Sequence, residues 1–293
     1  MSRPVATISI DVDPVDLHLV GYGWTGLPPD PLAYTVALPR LAAAFARHGV
    51  RATFFCVGRD AAANAAALRA LAGAGHEIAS HTWSHPLGFA SLPAERQRAE
   101  LADSRQALAG ASGFDVVGFR SPNFDMDDGV VPRLAEAGFR YDASAYPTLL
   151  LVPARMVLAL KSRDPFRVLS MRPWPFTWNR QPYRWRANGS EIREFPVATT
   201  PGLRMPVYHT MRWVTSERSF ETAVDGFARR GEHLSYVLHA VDALGQSEDG
   251  VDRRLAKHPG MDRPLDAKLA VLDRTIATIA SRFDVRTYAE QLG

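Results

Sequence analysis

The chain has 293 residues, a length that suits one large α/β barrel or two small domains. Hydrophobic residues at 46% and charged ones at 22% describe an ordinary globular protein, and a net charge of +3 is too small to imply an anionic partner. The lone Cys56 excludes an internal disulfide and a thiolate metal cluster, no uninterrupted apolar run approaches the ~20 residues of a membrane span, and Met1-Ser2-Arg3-Pro4 leads into a strand without an export signal, so a cytoplasmic protein is expected.

Residues 6–10 form a short β-branched apolar run that stops at Asp11-Val12-Asp13, as a buried parallel strand would. Gly21-Tyr22-Gly23-Trp24-Thr25-Gly26 matches a dinucleotide-type glycine pattern, but Leu27-Pro28-Pro29 follows where a helix should open. It reads as an active-site rim loop. Helices are expected over 36–48, 60–71, 93–108, 130–137, 219–230 and 265–282, with Gly138 closing the fourth. Strands are expected over 52–57, 76–80, 116–119, 192–197, 234–239 and 283–287, with Cys56 buried in the first of these. The alternation of strands and helices predicts a parallel α/β barrel, one domain over 1–293 with an insertion at about 146–190. Asp11, Asp13, His81, Arg120 and His239 all fall at or just beyond C-terminal strand ends, where such barrels build their sites.

His81-Thr82-Trp83-Ser84-His85-Pro86 carries two histidines four apart at a strand end. With Asp11 and Asp13 they can place three N/O ligands and a free carboxylate around one divalent cation. Three ligands leave coordination positions open for water and substrate, as a catalytic metal requires. The plainer alternative is a strand-ending turn with satisfied surface histidines. His18, His48 and His76 read as surface or helix-end residues, whereas His258 could reach the mouth of the site. The insertion is distinctive. Residues 148–160 are apolar, and between Lys161 and Arg186 seven basic residues face the single Asp164, with Trp174, Trp178 and Trp185 interleaved. That composition suits a cap over the barrel mouth with peripheral membrane association at an anionic surface, or a buried helix with a solvated cap. Nucleic acid is the poorer fit, since no binding motif is present.

Asp-x-Asp, His-Thr-x-x-His-Pro, Arg120-x-Pro122 and Leu238-His239, in that order, resemble the NodB-type polysaccharide deacetylases, carbohydrate esterase family four. The Asp-Val-Asp form is similar to the branch containing the formamido-arabinose lipid deformylase. The resemblance implies a distorted (β/α) barrel and a Zn²⁺-type, metal-dependent hydrolysis of an N-acyl group on an amino sugar; together with the missing export signal and the insertion's composition, an acetyl or formyl group on a lipid-linked or small glycoconjugate is expected. It implies that Asp13, His81 and His85 bind the metal, and that Asp11, held by Arg120, is the general base. The Asn123 main-chain N–H would face the oxyanion and His239 would protonate the leaving amine. The family's fourth motif is missing; Asp142 is the nearest substitute as orienter of His239, with Asp242 as the alternative. An allantoinase-like hydrolase of a non-sugar amide, and a catalytically silent glycan- or lipid-binding barrel, are the competing readings.

Overall fold

The computed structural model describes residues 3–150 and 179–293, together with Pro153, Met156, Val157, Ala159 and Leu160 between them. The organising element is β1 (Val5–Val12), a β-branched run buried along nearly its whole length. Such a strand must lie inside a sheet covered on both faces. Parallel ladders join it to β2 (Thr53–Cys56) on one side and β8 (Leu234–His239) on the other. The sheet continues through β3 (Glu77–Ser80), β4 (Gly118–Phe119), β5 (Tyr141–Asp142) and β7 (Ser190–Glu194), all parallel. Its edge is β6 (Tyr183–Ala187), antiparallel to β7. The short β9 (Asp284–Val285) pairs with the start of β1.

The sheet curls. Irregular chain after β7 spans the two ends of the ladder: the Phe195 and Val197 amides donate to the Asp142 and Ala145 carbonyls, and the Ala198 amide donates to Ser235 of β8. This mixed α/β architecture with a curled half-barrel sheet matches the expected distorted barrel. The main helices are α1 (Val15–Gly21), α2 (Leu38–Arg47), α3 (Ala65–Gly73), α4 (Ala94–Ser112), α5 (Val131–Glu136), α6 (Glu217–Arg230) and α7 (Leu265–Arg282). On α2 the buried residues Leu38, Leu41, Ala44 and Phe45 recur every three or four positions, the stripe that docks a helix on a sheet. No helix among the described residues is long and apolar enough to cross a membrane.

Inside the curl, Phe55, Ala79, Tyr141, Phe195 and Tyr288 form a small apolar plug. Gly118 makes room for it: a Cβ there would lie 2.0 Å from the Tyr141 phenol. That ring instead crosses the strand and donates its hydroxyl to Glu77 Oε1 at 2.8 Å.

Several features differ from expectation. β6 was not anticipated, because its sequence reads as part of the basic, tryptophan-rich insertion. In the structure Trp185 is buried and donates its indole N–H to Asp128 at 2.7 Å, while Arg184 and Arg186 both pair with Glu191 across the hairpin. Arg180 pairs with Glu232. Part of the expected cap is therefore sheet, and three of the seven counted basic residues are already engaged. The remainder of the basic segment, including Trp174 and Trp178, lies outside the described residues. α1 is not among the expected helices; it has only two turns. His76 was expected at the surface but is 7% exposed, packed on Phe45 and Phe54, with its Nδ1 accepting the Ala52 amide. His48 does end α2, where it pairs with Asp273.

Candidate active site

Ladder register sets the site. Asp11 and His239 are Cα partners across β1 and β8, so their side chains begin level at adjacent strand ends. β1 ends at Val12, between the two carboxylates; Asp11 belongs to the strand and Asp13 to the turn beyond it. His81 immediately follows β3, and Arg120 follows β4, with the Arg120 amide bonded to the Ser80 carbonyl.

Asp13, His81 and His85 converge. Asp13 Oδ1 lies 3.4 Å from His81 Nε2 and 3.4 Å from His85 Nε2, and all three side chains are buried. Asp13 Oδ1 is itself without a hydrogen-bond donor. Burial alone would raise the Asp13 carboxyl, but the imidazoles of His85, His81 and His18 outweigh it and hold it below its ordinary value. His81 Nδ1 pairs with the Arg120 carbonyl at 2.7 Å, which fixes the ring and leaves Nε2 as a lone pair. A buried carboxylate oxygen and two imidazole nitrogens within ligand reach of one another fit a divalent cation.

The connecting loop is under local strain. Thr82 and His85 both adopt left-handed backbone angles, φ 65° and 55°. Positions of this kind cost of order 1–3 kcal/mol unless their surroundings hold them. Here the Thr82 hydroxyl accepts the His85 amide at 3.0 Å and donates to the His81 carbonyl. Buried Glu100 of α4 takes both the amide and the hydroxyl of Ser84.

Asp11 is clamped separately. Arg120, fully buried, donates to Asp11 Oδ1 at 2.6 Å, to Ser9 Oγ at 3.0 Å and to the Ala143 carbonyl at 2.9 Å, and its guanidinium lies 4.1 Å over the Phe55 ring. Ser9 and Asp11 are two apart on β1 and so present one face to this cation. The other carboxylate oxygen, Asp11 Oδ2, points to His239 Nε2 at 3.8 Å. Asn123 lines the same cavity and adopts a left-handed angle, φ 54°.

The assignment of Asp142 as orienter of His239 is corrected. Asp142 is buried inside β5, where Ser144 donates to its Oδ1 at 2.6 Å and Glu194 of β7 lies beside it. Burial and the Asp142 charge push the Glu194 carboxyl well up. Neither Asp142 Oδ2 nor His239 Nδ1 has a hydrogen-bond partner, so they do not meet. The carboxylate beside His239 is Asp242, whose Oδ2 accepts the His239 amide at 2.8 Å. Burial raises Asp242, but the His209 and His239 imidazoles prevail and keep it ionised.

The cavity has a volume of about 350 Å³ and is lined by Asp11, Asp13, His81, His85, Asn123 and His239. Two histidines join them. His258 reaches the site as its position suggested. His18, expected at a surface or helix end, instead lines the cavity with its Nε2 4.0 Å from Asp13 Oδ2. The signal available for His18 was its place five residues after Asp13, on the first helical turns following the strand. Gly21 and Tyr22 of the glycine-rich stretch also line the cavity, as a rim segment should.

Residues 30–141 match the family model described as polysaccharide deacetylase. A curated relative, the peptidoglycan deacetylase of Helicobacter pylori, is 27% identical over 139 residues, 46% of this chain and 47% of that protein. The match thus spans about half the length of that relative. Among solved structures, a Mycobacterium smegmatis protein described as a polysaccharide deacetylase superposes with a TM-score of 0.62 at 19% identity, covering 100% of this chain and 90% of its own. The Puue allantoinase superposes with a TM-score of 0.60 at 17% identity, covering 99% and 89%. At such identities these likenesses concern the fold. The matched segment and the relative are similar to polysaccharide deacetylases over part of the chain, and the fold is shared along its length.

Proposed function

We propose that the protein is a metal-dependent hydrolase that removes an acetyl or formyl group from an amino sugar. One observation carries this reading: the buried Asp13, His81 and His85 converge within ligand reach beside an Asp11 that Arg120 clamps and His239 faces. Asp13, His81 and His85 would hold the cation, with Zn²⁺ suited to two imidazoles and one carboxylate. A bound divalent ion polarises the acyl oxygen and brings the pKa of water toward ~7.

The chain's own residues supply the proton traffic. Arg120 occupies Asp11 Oδ1, so Oδ2 is the atom free to accept the proton of the attacking water. As water oxygen bonds to the acyl carbon, the Asn123 main-chain N–H faces the developing negative charge. His239, 3.8 Å from Asp11, gives its proton to the nitrogen as the C–N bond breaks, because an amine leaves poorly as an anion. The Asp242 carboxylate holds the His239 backbone by accepting its amide.

The cavity volume is near the lower end of the ~300–1,000 Å³ of small-molecule sites and suits one or two sugar rings. The finer reading is a small or lipid-linked glycoconjugate met at the inner membrane face. It is supported by exposed apolar residues: Leu150 lines the cavity, and Leu149, Met156, Val157 and Leu160, close to it in sequence, are 41–87% exposed. Lys161, Arg163, Arg167 and Arg172 follow in sequence against the single Asp164. Each basic side chain near an anionic surface contributes on the order of 1 kcal/mol. The decisive assay measures acetate and formate released from a panel of N-acyl amino sugars and cyclic amides by metal-loaded protein. Release from the sugars supports the reading. Turnover of cyclic amides alone would move the chain to an allantoinase-like activity, and no turnover with any metal to a silent binding barrel. Cosedimentation with anionic vesicles that high salt abolishes would support the membrane arm; equal recovery with neutral vesicles would remove it.

A further inference from the structure

Three imidazoles crowd one wall of the cavity. The His18 ring lies 5.7 Å from that of His239 and 5.3 Å from that of His258, centroid to centroid. His18 comes from α1 and His258 from the loop before α7, 240 residues apart. His18 Nε2, His258 Nε2 and His239 Nδ1 are all buried and all lack a hydrogen-bond partner. Leaving such an atom unsatisfied costs about 1–3 kcal/mol, so a cluster of three in a cavity points to a ligand that satisfies them. The Tyr22 hydroxyl approaches His258 Nδ1 at 3.4 Å and fixes which nitrogen of that ring faces inward.

The chemistry of the wall selects the ligand. Burial, with the neighbouring His18, holds the His258 imidazole down to about 3. A neutral imidazole offers one N–H donor and one lone pair. Its natural counterpart is a hydroxyl, which also gives one hydrogen and accepts another, whereas a phosphate or carboxylate accepts only. Position adds the second constraint. In the proposed reaction His239 faces the leaving nitrogen, so its neighbours His18 and His258 meet the leaving-group side rather than the acyl side.

We infer that His18 and His258 form a recognition wall for the hydroxyl groups of the sugar that carries the departing amine. This rests on the deacylase reading for its orientation and adds to it the residues that recognise the hydroxyls of the leaving sugar. His18 and His258 are specificity-determining here and take no part in the bond-breaking step.

Binding to metal-free protein, measured by calorimetry, tests the wall without requiring turnover. The probes are N-acetylglucosamine and N-cyclohexylacetamide, which share the acetamide and a six-membered ring but differ in hydroxyls. His258→Phe and His18→Phe should each weaken N-acetylglucosamine about 5- to 10-fold, the scale of one neutral hydrogen bond. The preference for the sugar over the cyclohexyl probe should fall by the same factor. Tyr22→Phe, which keeps both imidazoles, should lower that preference about 2- to 3-fold, and serves if a histidine variant fails to fold. Equal preference in wild type and variants would overturn the inference, as would wild-type protein that does not distinguish the two probes. Wild-type protein that favours the sugar and yet releases no acetate once metal is restored would sink the deacylase reading and leave the wall standing.

Discussion

Arg120→Met tests the logic of the site most sharply on the side of stability. The guanidinium is 0% exposed and the Asp11 side chain 5% exposed, with 2.6 Å between them. Breaking such a pair from one side strands a buried charge, which costs about 3–5 kcal/mol. The same change also removes donors from Ser9 and the Ala143 carbonyl, so the upper half of that range is expected. Adding Asp11→Asn removes the stranded charge. The double variant should therefore be more stable than the sum of the two single losses predicts, by about 2 kcal/mol or more. Arg98→Met is the control: Arg98 and Glu95 are 46% and 87% exposed, and their separation should cost less than about 1 kcal/mol. Urea unfolding at pH 7 with a chelator present in all samples measures these differences free of metal linkage. An Arg120→Met loss below about 1 kcal/mol, or strict additivity of the two changes, would refute the claim that Arg120 sustains a buried Asp11 carboxylate.

Acid should weaken the fold through His76, whose burial, aided by Arg51, lowers its pKa from 6.5 to about 4. A depressed imidazole is neutral in the native state and takes up its proton on unfolding, so its contribution is complete above pH 6.5 and is lost as pH falls toward about 4. That amounts to about 3 kcal/mol, and His76→Gln should lose about 2 kcal/mol less than wild type between pH 7 and pH 4.5 in urea titrations; equal losses would contradict it. For catalysis, Asp242→Asn should reduce kcat about 10- to 100-fold with little change in KM, whereas Asp142→Asn should act mainly on stability. A kcat loss confined to Asp142→Asn would restore the assignment corrected above.

Much of the frame was legible because it rests on local pattern. The span of β8 and that of α7 follow from continuous apolar runs and from 3.6-residue periodicity, and the structure bounds them at the expected residues, Leu234–His239 and Leu265–Arg282. The apolar run over 6–10 lies within β1, which continues two residues further and ends between the two carboxylates. The failures share a cause in long-range contact. β6 looks like a basic surface segment until Glu191 and Asp128 are brought against it. Asp242 reaches the His239 amide locally, three residues on, whereas the place of Asp142 is set by strand pairing that a linear sequence does not show. His18 acquires meaning only when α1 folds back over β1 and the loop carrying His258 closes on it. Tyr288 likewise reaches the Arg120 guanidinium from near the C-terminus, 168 residues away.

The central claim is that Asp13, His81 and His85 hold a cation while Asp11 stays free to move a proton. Metal content by mass spectrometry, with acetate and formate release measured on the same preparations, tests it directly. His81→Ala, His85→Ala and Asp13→Asn should each lose the metal and the activity while unfolding cooperatively. Asp11→Asn should keep one metal per chain and lose turnover by several orders of magnitude. Retention of metal by Asp13→Asn together with its loss in Asp11→Asn would exchange the two roles, and full metal occupancy in all four variants would contradict the site itself.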